Sequence, residues 1–149
     1  MVVLISDSGL RLSEAVGLLV DEGVLDSEQT HITLIKHPHL RLKTDASEIA
    51  IPLVGAPFWA ERRIKENKPI RFCFSRYFSE DDCNSNSASA AINKWIKTIV
   101  ESLVVIHCLR HGFSDSLRCE EIPIDLIDQF GGWSLRSAGQ GYADGYPLE

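Results

Sequence analysis

The chain has 149 residues, 44% hydrophobic and 24% charged, which fits one globular domain able to bury a core and excludes a disordered or collagen-like polymer. No apolar run approaches the ~20 residues needed to cross a bilayer, and Met1-Val2-Val3-Leu4-Ile5 lacks the basic flank and cleavage site of a signal peptide, so a cytoplasmic location with no membrane partner is expected. A net charge of −6 and a pI near 5.3 speak against a uniformly basic, nucleic-acid-coating surface, because phosphate neutralisation dominates such binding.

Leu12, Ala15, Val16 and Leu19 recur at helical spacing, with Ser13 as N-cap and Gly23 as the break. Ile32 to Ile35, Arg41 to Lys43 and Glu48 to Leu53 read as three short strands, with Thr44-Asp45-Ala46-Ser47 as a hairpin turn beside Lys43. Pro52 marks the exit from the third strand. Phe58 to Asn67 reads as a helix ended by Lys68-Pro69. Ser79 to Ser87 is polar and acidic and reads as a loop. From Ala88, the apolar Ala91, Ile92, Trp95, Ile96, Ile99 and Leu103 mark an amphipathic helix. Further helices are expected from His107 to about Cys119, from Pro123 to a stop at Gly131-Gly132, and from Ser134 onward. The fold class this predicts is α+β: mainly α-helical with a small three-stranded antiparallel sheet.

Between Glu61 and Arg76 the basic residues Arg62, Arg63, Lys65, Lys68, Arg71 and Arg76 outnumber the acidic ones. Such a run is usually a solvated helix face, yet it also leaves an acidic chain with one positive patch. Cys73, Cys83, Cys108 and Cys119 form no C-x-x-C pair and read as reduced, partly buried thiols. His31, His37 and His39 lie close in sequence, but Pro38 and the lack of a matching carboxylate or thiol pair favour a solvated loop over a metal site.

The chemistry-bearing residues come in a fixed order. Gly9-Leu10-Arg11-Leu12-Ser13-Glu14 opens the series, and Lys43-Thr44 follows. The last third carries His107-Cys108-Leu109-Arg110-His111, Gly131-Gly132-Trp133, and Tyr142 between Gly141 and Ala143. Arginine suits phosphate because its planar fork donates two parallel hydrogen bonds and keeps its charge. His107, three residues before Arg110, shares a side of its helix; a core histidine is the structural alternative. His111 points elsewhere and reads as a buried hydrogen-bonding residue. A tryptophan N–H can donate but never accept a proton, so Trp133 can only position.

This ordered set resembles the catalytic domain of the tyrosine recombinase (phage integrase) family, from Gly9 to Glu149. The C-terminal Gly-Tyr-x-x-Gly-Tyr-Pro-Leu-Glu is similar to integrases of phages and integrated mobile elements. The resemblance implies site-specific DNA strand cutting and rejoining through a 3′-phosphotyrosyl intermediate, with no metal, nucleotide or other cofactor. It implies Arg11 and Arg110 as phosphate clamps and His107 as a proton acceptor or phosphate donor. Trp133 becomes a phosphate-positioning donor, and Tyr142 the nucleophile, nine residues on (142 − 133 = 9). Lys43 would protonate the departing 5′ oxygen, and Glu14 would orient Arg11. Ile49 replaces an arginine common in the family's hairpin, so Lys36 is the alternative general acid; Tyr146 is the alternative nucleophile.

Double-stranded DNA is the implied partner, with tetrameric self-association on DNA for full-length members. The whole chain, residues 1–149, is expected to be this catalytic domain, N-terminally shortened and without the N-terminal DNA-gripping domains. Two other readings stand beside the enzyme: a non-catalytic remnant that binds DNA or a protein partner weakly, and a type IB topoisomerase, which fits the terminal motif less well.

Overall fold

The computed structural model describes residues 1–40, 42, 48–67, 71–79, 82–100 and 103–132. Among them are six α-helices and two small antiparallel sheets, in agreement with the expected α+β class. None of these helices is long and apolar enough to cross a membrane.

Helix α1 (Val2–Ser8) has no counterpart among the expected elements. It buries Leu4, Ile5 and Ser8, residues one turn apart on one face, and stops at Gly9 in the left-handed conformation, φ 69°. Helix α2 (Leu12–Gly17) begins two residues earlier than a Ser13 cap requires. Arg11 is its N-cap, and the Glu14 carboxylate accepts the Arg11 backbone N–H at 2.7 Å, satisfying one donor that the helix start leaves open. The helix ends at Gly17 rather than running to Gly23. Leu40 packs so closely there that a Cβ on Gly17 would lie 2.9 Å from Leu40 Cδ1.

The three-stranded sheet joins β1 (Gly23–Val24), β2 (His31–Leu34) and β3 (Ile49–Pro52) in that spatial order, all antiparallel. Among the described residues, two of the three expected strands are present and Gly23–Val24 is the third member of the sheet; the expected strand Arg41–Lys43 lies mostly outside the described residues. Leu42 is not in a strand, and Arg41 and residues 43–47 lie outside the described residues. Gly23, expected only to break a helix, begins β1, and its α-carbon lies so close to the Glu61 side chain that a Cβ there would sit 2.4 Å from Oε1. In β2 burial alternates, with Ile32 and Leu34 facing the core, and the β2–β3 register sets Ile32 against Ile51 and Leu34 against Ile49.

Helix α3 (Ala56–Glu66) starts after Gly55 with Pro57 in its first turn. Instead of a loop over Ser79 to Ser87, Phe78–Ser79 (β4) pairs with Asp82–Cys83 (β5), and helix α4 (Ser85–Ile99) follows at once. The early start of α4 has a local cause: the Asn84 side chain caps it, accepting Ser87 N–H at 2.9 Å. Helix α5 (Ile106–Cys119) and helix α6 (Ile124–Gly131) match expectation closely, and Gly132 ends α6 at φ 54°. The histidine segment differs from a solvated loop. His39 packs edge-on against Phe72 and Phe78, at centroid separations of 5.5 and 5.8 Å. Of the cysteines, Cys73 and Cys83 are half-buried as expected, whereas Cys108 and Cys119 are exposed.

One core spans these elements. Leu4, Ile5, Leu10, Leu18, Ile32, Leu34, Ile51, Leu53, Ile96 and Ile106 are buried in it, each worth about 2 kcal/mol of transfer from water. Helix α1 packs on both α3 and α5, while α6 packs on α5 and β3. This arrangement brings the Gly9–Glu14 segment against α5 and the end of α6.

The Glu61–Arg76 run divides by burial. Arg62 and Arg63 are exposed and paired to Glu66, at 3.2 and 2.9 Å. Glu61 is fully buried beside Cys73, with Oε2 lacking a hydrogen-bond partner among the described residues. Burial raises its carboxyl from 4.5 to about 7, partly offset by Lys65. The folded state therefore binds that proton more tightly than the unfolded chain. The associated stability is complete below the unfolded value and is lost as pH rises through about 7. Glu61→Gln, neutral at every pH, should flatten the decline in the urea midpoint between about pH 5 and about pH 8 and raise the midpoint at the upper end.

Candidate active site

Arg11 and Arg110 come from opposite ends of the chain and meet across one carboxylate. Arg11 is fixed by its position as N-cap of α2, where the backbone turns from extended to helical. Its Nη1 donates to Glu14 Oε1 at 2.5 Å, and its Nη2 donates to the carbonyl of Gly132 at 3.2 Å. Arg110 lies in the second turn of α5, 3% exposed, with Nη1 at 3.8 Å from Glu14 Oε2. Its Nη1 also donates to the Gly9 carbonyl and its Nη2 to the Gly131 carbonyl. Glu14, itself 3% exposed, thus serves both guanidinium groups.

Among the described residues of the cluster, two arginines stand against one carboxylate, a net charge of +1. Burial lowers the Arg110 guanidinium from its ordinary value to about 10, with the Arg11 charge acting in the same direction and Glu14 against it. At neutral pH that group remains charged by on the order of a thousand to one. The carbonyls of Gly131 and Gly132 close the C-terminus of α6, the negative end of its dipole, and so favour cations there. The cleft around the pair is also lined by Leu10, Leu34, Ile49, Ile51 and Phe130. Ile49, read from the sequence as standing in place of a hairpin arginine, lies opposite Leu34 in the sheet register and forms part of this apolar wall.

His107 is exposed in the first turn of α5, which removes the alternative of a core histidine. Its ring lies edge-on to His111 at 4.7 Å and 87°. His111, expected to be buried, is exposed: one residue after the buried Arg110, it is turned about 100° around α5 and faces solvent. Lys36, the alternative general acid, is exposed just beyond β2, and its backbone N–H donates to Glu48 at 3.2 Å. Lys43, Trp133, Tyr142 and Tyr146 lie outside the described residues. The described part of the site is therefore the Arg11–Glu14–Arg110 cluster. The sequence reading missed its three carbonyl ligands, at Gly9, Gly131 and Gly132. Glycine carries no chemistry of its own, and Gly131-Gly132 signals only a helix stop.

Comparison with known proteins gives the family and the fold. The sequence matches the phage integrase family over residues 1–148. The chain belongs to the phage integrase family. A search of curated proteins found no match to this integrase-family chain. Among solved structures it is similar to the Tn1549 transposon integrase in complex with circular intermediate DNA. That match has a TM-score of 0.62 at 15% identity, covering 94% of this chain and 56% of that one. A tyrosine-to-phenylalanine variant of the same integrase, in complex with transposon right end DNA, matches with a TM-score of 0.63 at 19% identity, covering 90% and 50%. The integrase-family chain thus spans about half the length of the solved chains it matches, and the likeness is one of fold.

Breaking the shared carboxylate strands two guanidiniums in a poorly hydrated site. Glu14→Ala should destabilise the domain by about 3 kcal/mol or more in urea unfolding, since removing one partner of a buried pair leaves uncompensated charge. Glu66→Ala, which breaks two exposed pairs on α3, should change stability by less than about 1 kcal/mol in the same assay.

Proposed function

We propose that this chain is the catalytic domain of a site-specific DNA recombinase that cuts and rejoins strands through a 3′-phosphotyrosyl intermediate. The observation that carries the reading is the convergence of Arg11 and Arg110 on Glu14 in one cleft. Family membership and the likeness to integrase structures solved with DNA support it.

In this mechanism the two guanidiniums hold the non-bridging oxygens of the scissile phosphate and offset the charge that grows in the transition state. The Tyr142 phenol attacks phosphorus, the bond to the 5′ oxygen breaks, and a 3′-phosphotyrosine forms. His107, exposed on α5, accepts the phenolic proton or donates to a phosphate oxygen. Lys43 delivers a proton to the departing 5′ oxygen, and with His107 taking the phenolic proton the charges and protons balance. Trp133 donates its indole N–H to the phosphate. Rejoining runs the same steps backward with a 5′ hydroxyl as nucleophile. Double-stranded DNA is the substrate, and the tetramer belongs to the full-length protein.

A non-catalytic remnant is the second reading, and the burial of Arg110 favours it, because its Nη atoms already donate to backbone carbonyls. A nicked suicide duplex carrying the recombination site separates the two by covalent protein–DNA adduct. Tyr142→Phe should abolish adduct while DNA binding survives, and Tyr146→Phe should leave adduct intact. Arg110→Lys keeps the charge but loses the fork, and should slow cleavage by ~10²-fold or more. Adduct that persists in Tyr142→Phe and vanishes in Tyr146→Phe would move the nucleophile to Tyr146. No adduct from the unmutated protein would favour the remnant.

A further inference from the structure

The clamp arginines need a fixed separation, and one aromatic ring outside the motif residues bears on it. Phe113 follows Arg110 by three residues on α5, so the two side chains lie on neighbouring parts of one helix surface. Both reach Gly9. Arg110 Nη1 takes the Gly9 carbonyl, while the Phe113 ring covers the Gly9 α-carbon. A Cβ built on Gly9 would lie 2.6 Å from Phe113 Cδ1 and 2.8 Å from Cε1.

Gly9 is held in a further way. At φ 69° and ψ 11° it is the left-handed C-cap of α1, and its N–H donates to the Ile5 carbonyl at 3.2 Å. Its carbonyl direction follows from that conformation. Two residues later the chain becomes Arg11, the N-cap of α2. The Phe113–Gly9 contact therefore locates the carbonyl that orients one arginine and the backbone that carries the other.

The geometry points to Phe113 as a positioning residue: by packing on Gly9 it holds the Gly9 carbonyl on Arg110 and sets the spacing between the Arg11 and Arg110 guanidiniums. The role of that spacing in cleavage rests on the recombinase reading above; the hold on Arg110 does not. A leucine at the same place fills similar space but lacks the flat face that fits against an α-carbon without a side chain. The expected consequence is a looser guanidinium rather than an unfolded helix, because Phe113 is only half-buried.

Side-chain ¹⁵N NMR tests the hold directly. In the unmutated protein the Arg110 guanidinium, bonded through both Nη atoms, should show slow rotation and resolved Hη signals, assigned by their loss in Arg110→Lys. Phe113→Leu should broaden or collapse those signals, and Phe113→Tyr, which keeps the ring, should retain them. Phe113→Met repeats the measurement if the leucine variant fails to fold. Slow rotation that persists in a folded Phe113→Leu or Phe113→Met would overturn the proposal, whether or not DNA is cut.

Adduct formation at saturating DNA supplies the second readout. Phe113→Leu should lower the rate by about 10- to 100-fold with DNA affinity unchanged, the scale expected of a small misplacement. In the Arg110→Lys background the same substitution should add little, because its target is already gone. An equal loss in both backgrounds would overturn the proposal. No adduct from the unmutated protein would count against the recombinase reading, and the NMR result would still decide the hold on Arg110.

Discussion

The sharing of Glu14 between two arginines is the constraint on which the site depends. Two guanidiniums in one poorly hydrated cleft repel each other, and the desolvation of Arg110 adds to that cost. A single carboxylate, held by the first turn of α2 through the Arg11 backbone N–H, offsets both. The backbone carbonyls of Gly9, Gly131 and Gly132 complete the arrangement with neutral acceptors, which stabilise the donors without cancelling the charge. Replacing those carbonyls by further carboxylates would satisfy the same hydrogen bonds and leave no positive charge for an anion to meet.

Several parts of the fold exist to bring these groups together. Helix α1 ends at Gly9 and packs against α5, so the α1–α2 turn faces Arg110. Helix α6 packs on α5 and β3, which delivers its last carbonyls to the same place. The sheet contributes Leu34, Ile49 and Ile51 as a wall that excludes water, and charge interactions are stronger beside such a wall than in open solvent. The isoleucine at position 49 is thus accommodated as packing in that wall.

Helices with clear apolar periodicity were legible in the sequence, α5 and α6 nearly to the residue, because burial on one face leaves a 3.6-residue signature. The pairing of Arg11 with Glu14 was legible too, from one turn of helical spacing. Short elements were not. A helix of one or two turns such as α1, or a two-residue strand such as Gly23–Val24, carries too few residues to show a period and forms because tertiary contacts hold it. Gly23 is the clearest case: it resembles a helix breaker until Glu61 is seen against its α-carbon. His111 was read correctly as pointing away from Arg110, but that turn of about 100° carries it to solvent rather than into the core. The carbonyl ligands were invisible for a deeper reason, since every residue carries a carbonyl and only the fold selects which ones matter.

The immobilisation of Arg110 has a thermodynamic side. A free arginine side chain holds roughly 2 kcal/mol of rotamer entropy, and a binding site that orders it only on contact pays that amount out of its affinity. Here the ordering is complete once the domain has folded, so the cost falls on conformational stability instead. A domain arranged in this way trades part of its margin against unfolding for a guanidinium whose orientation is settled before any ligand arrives.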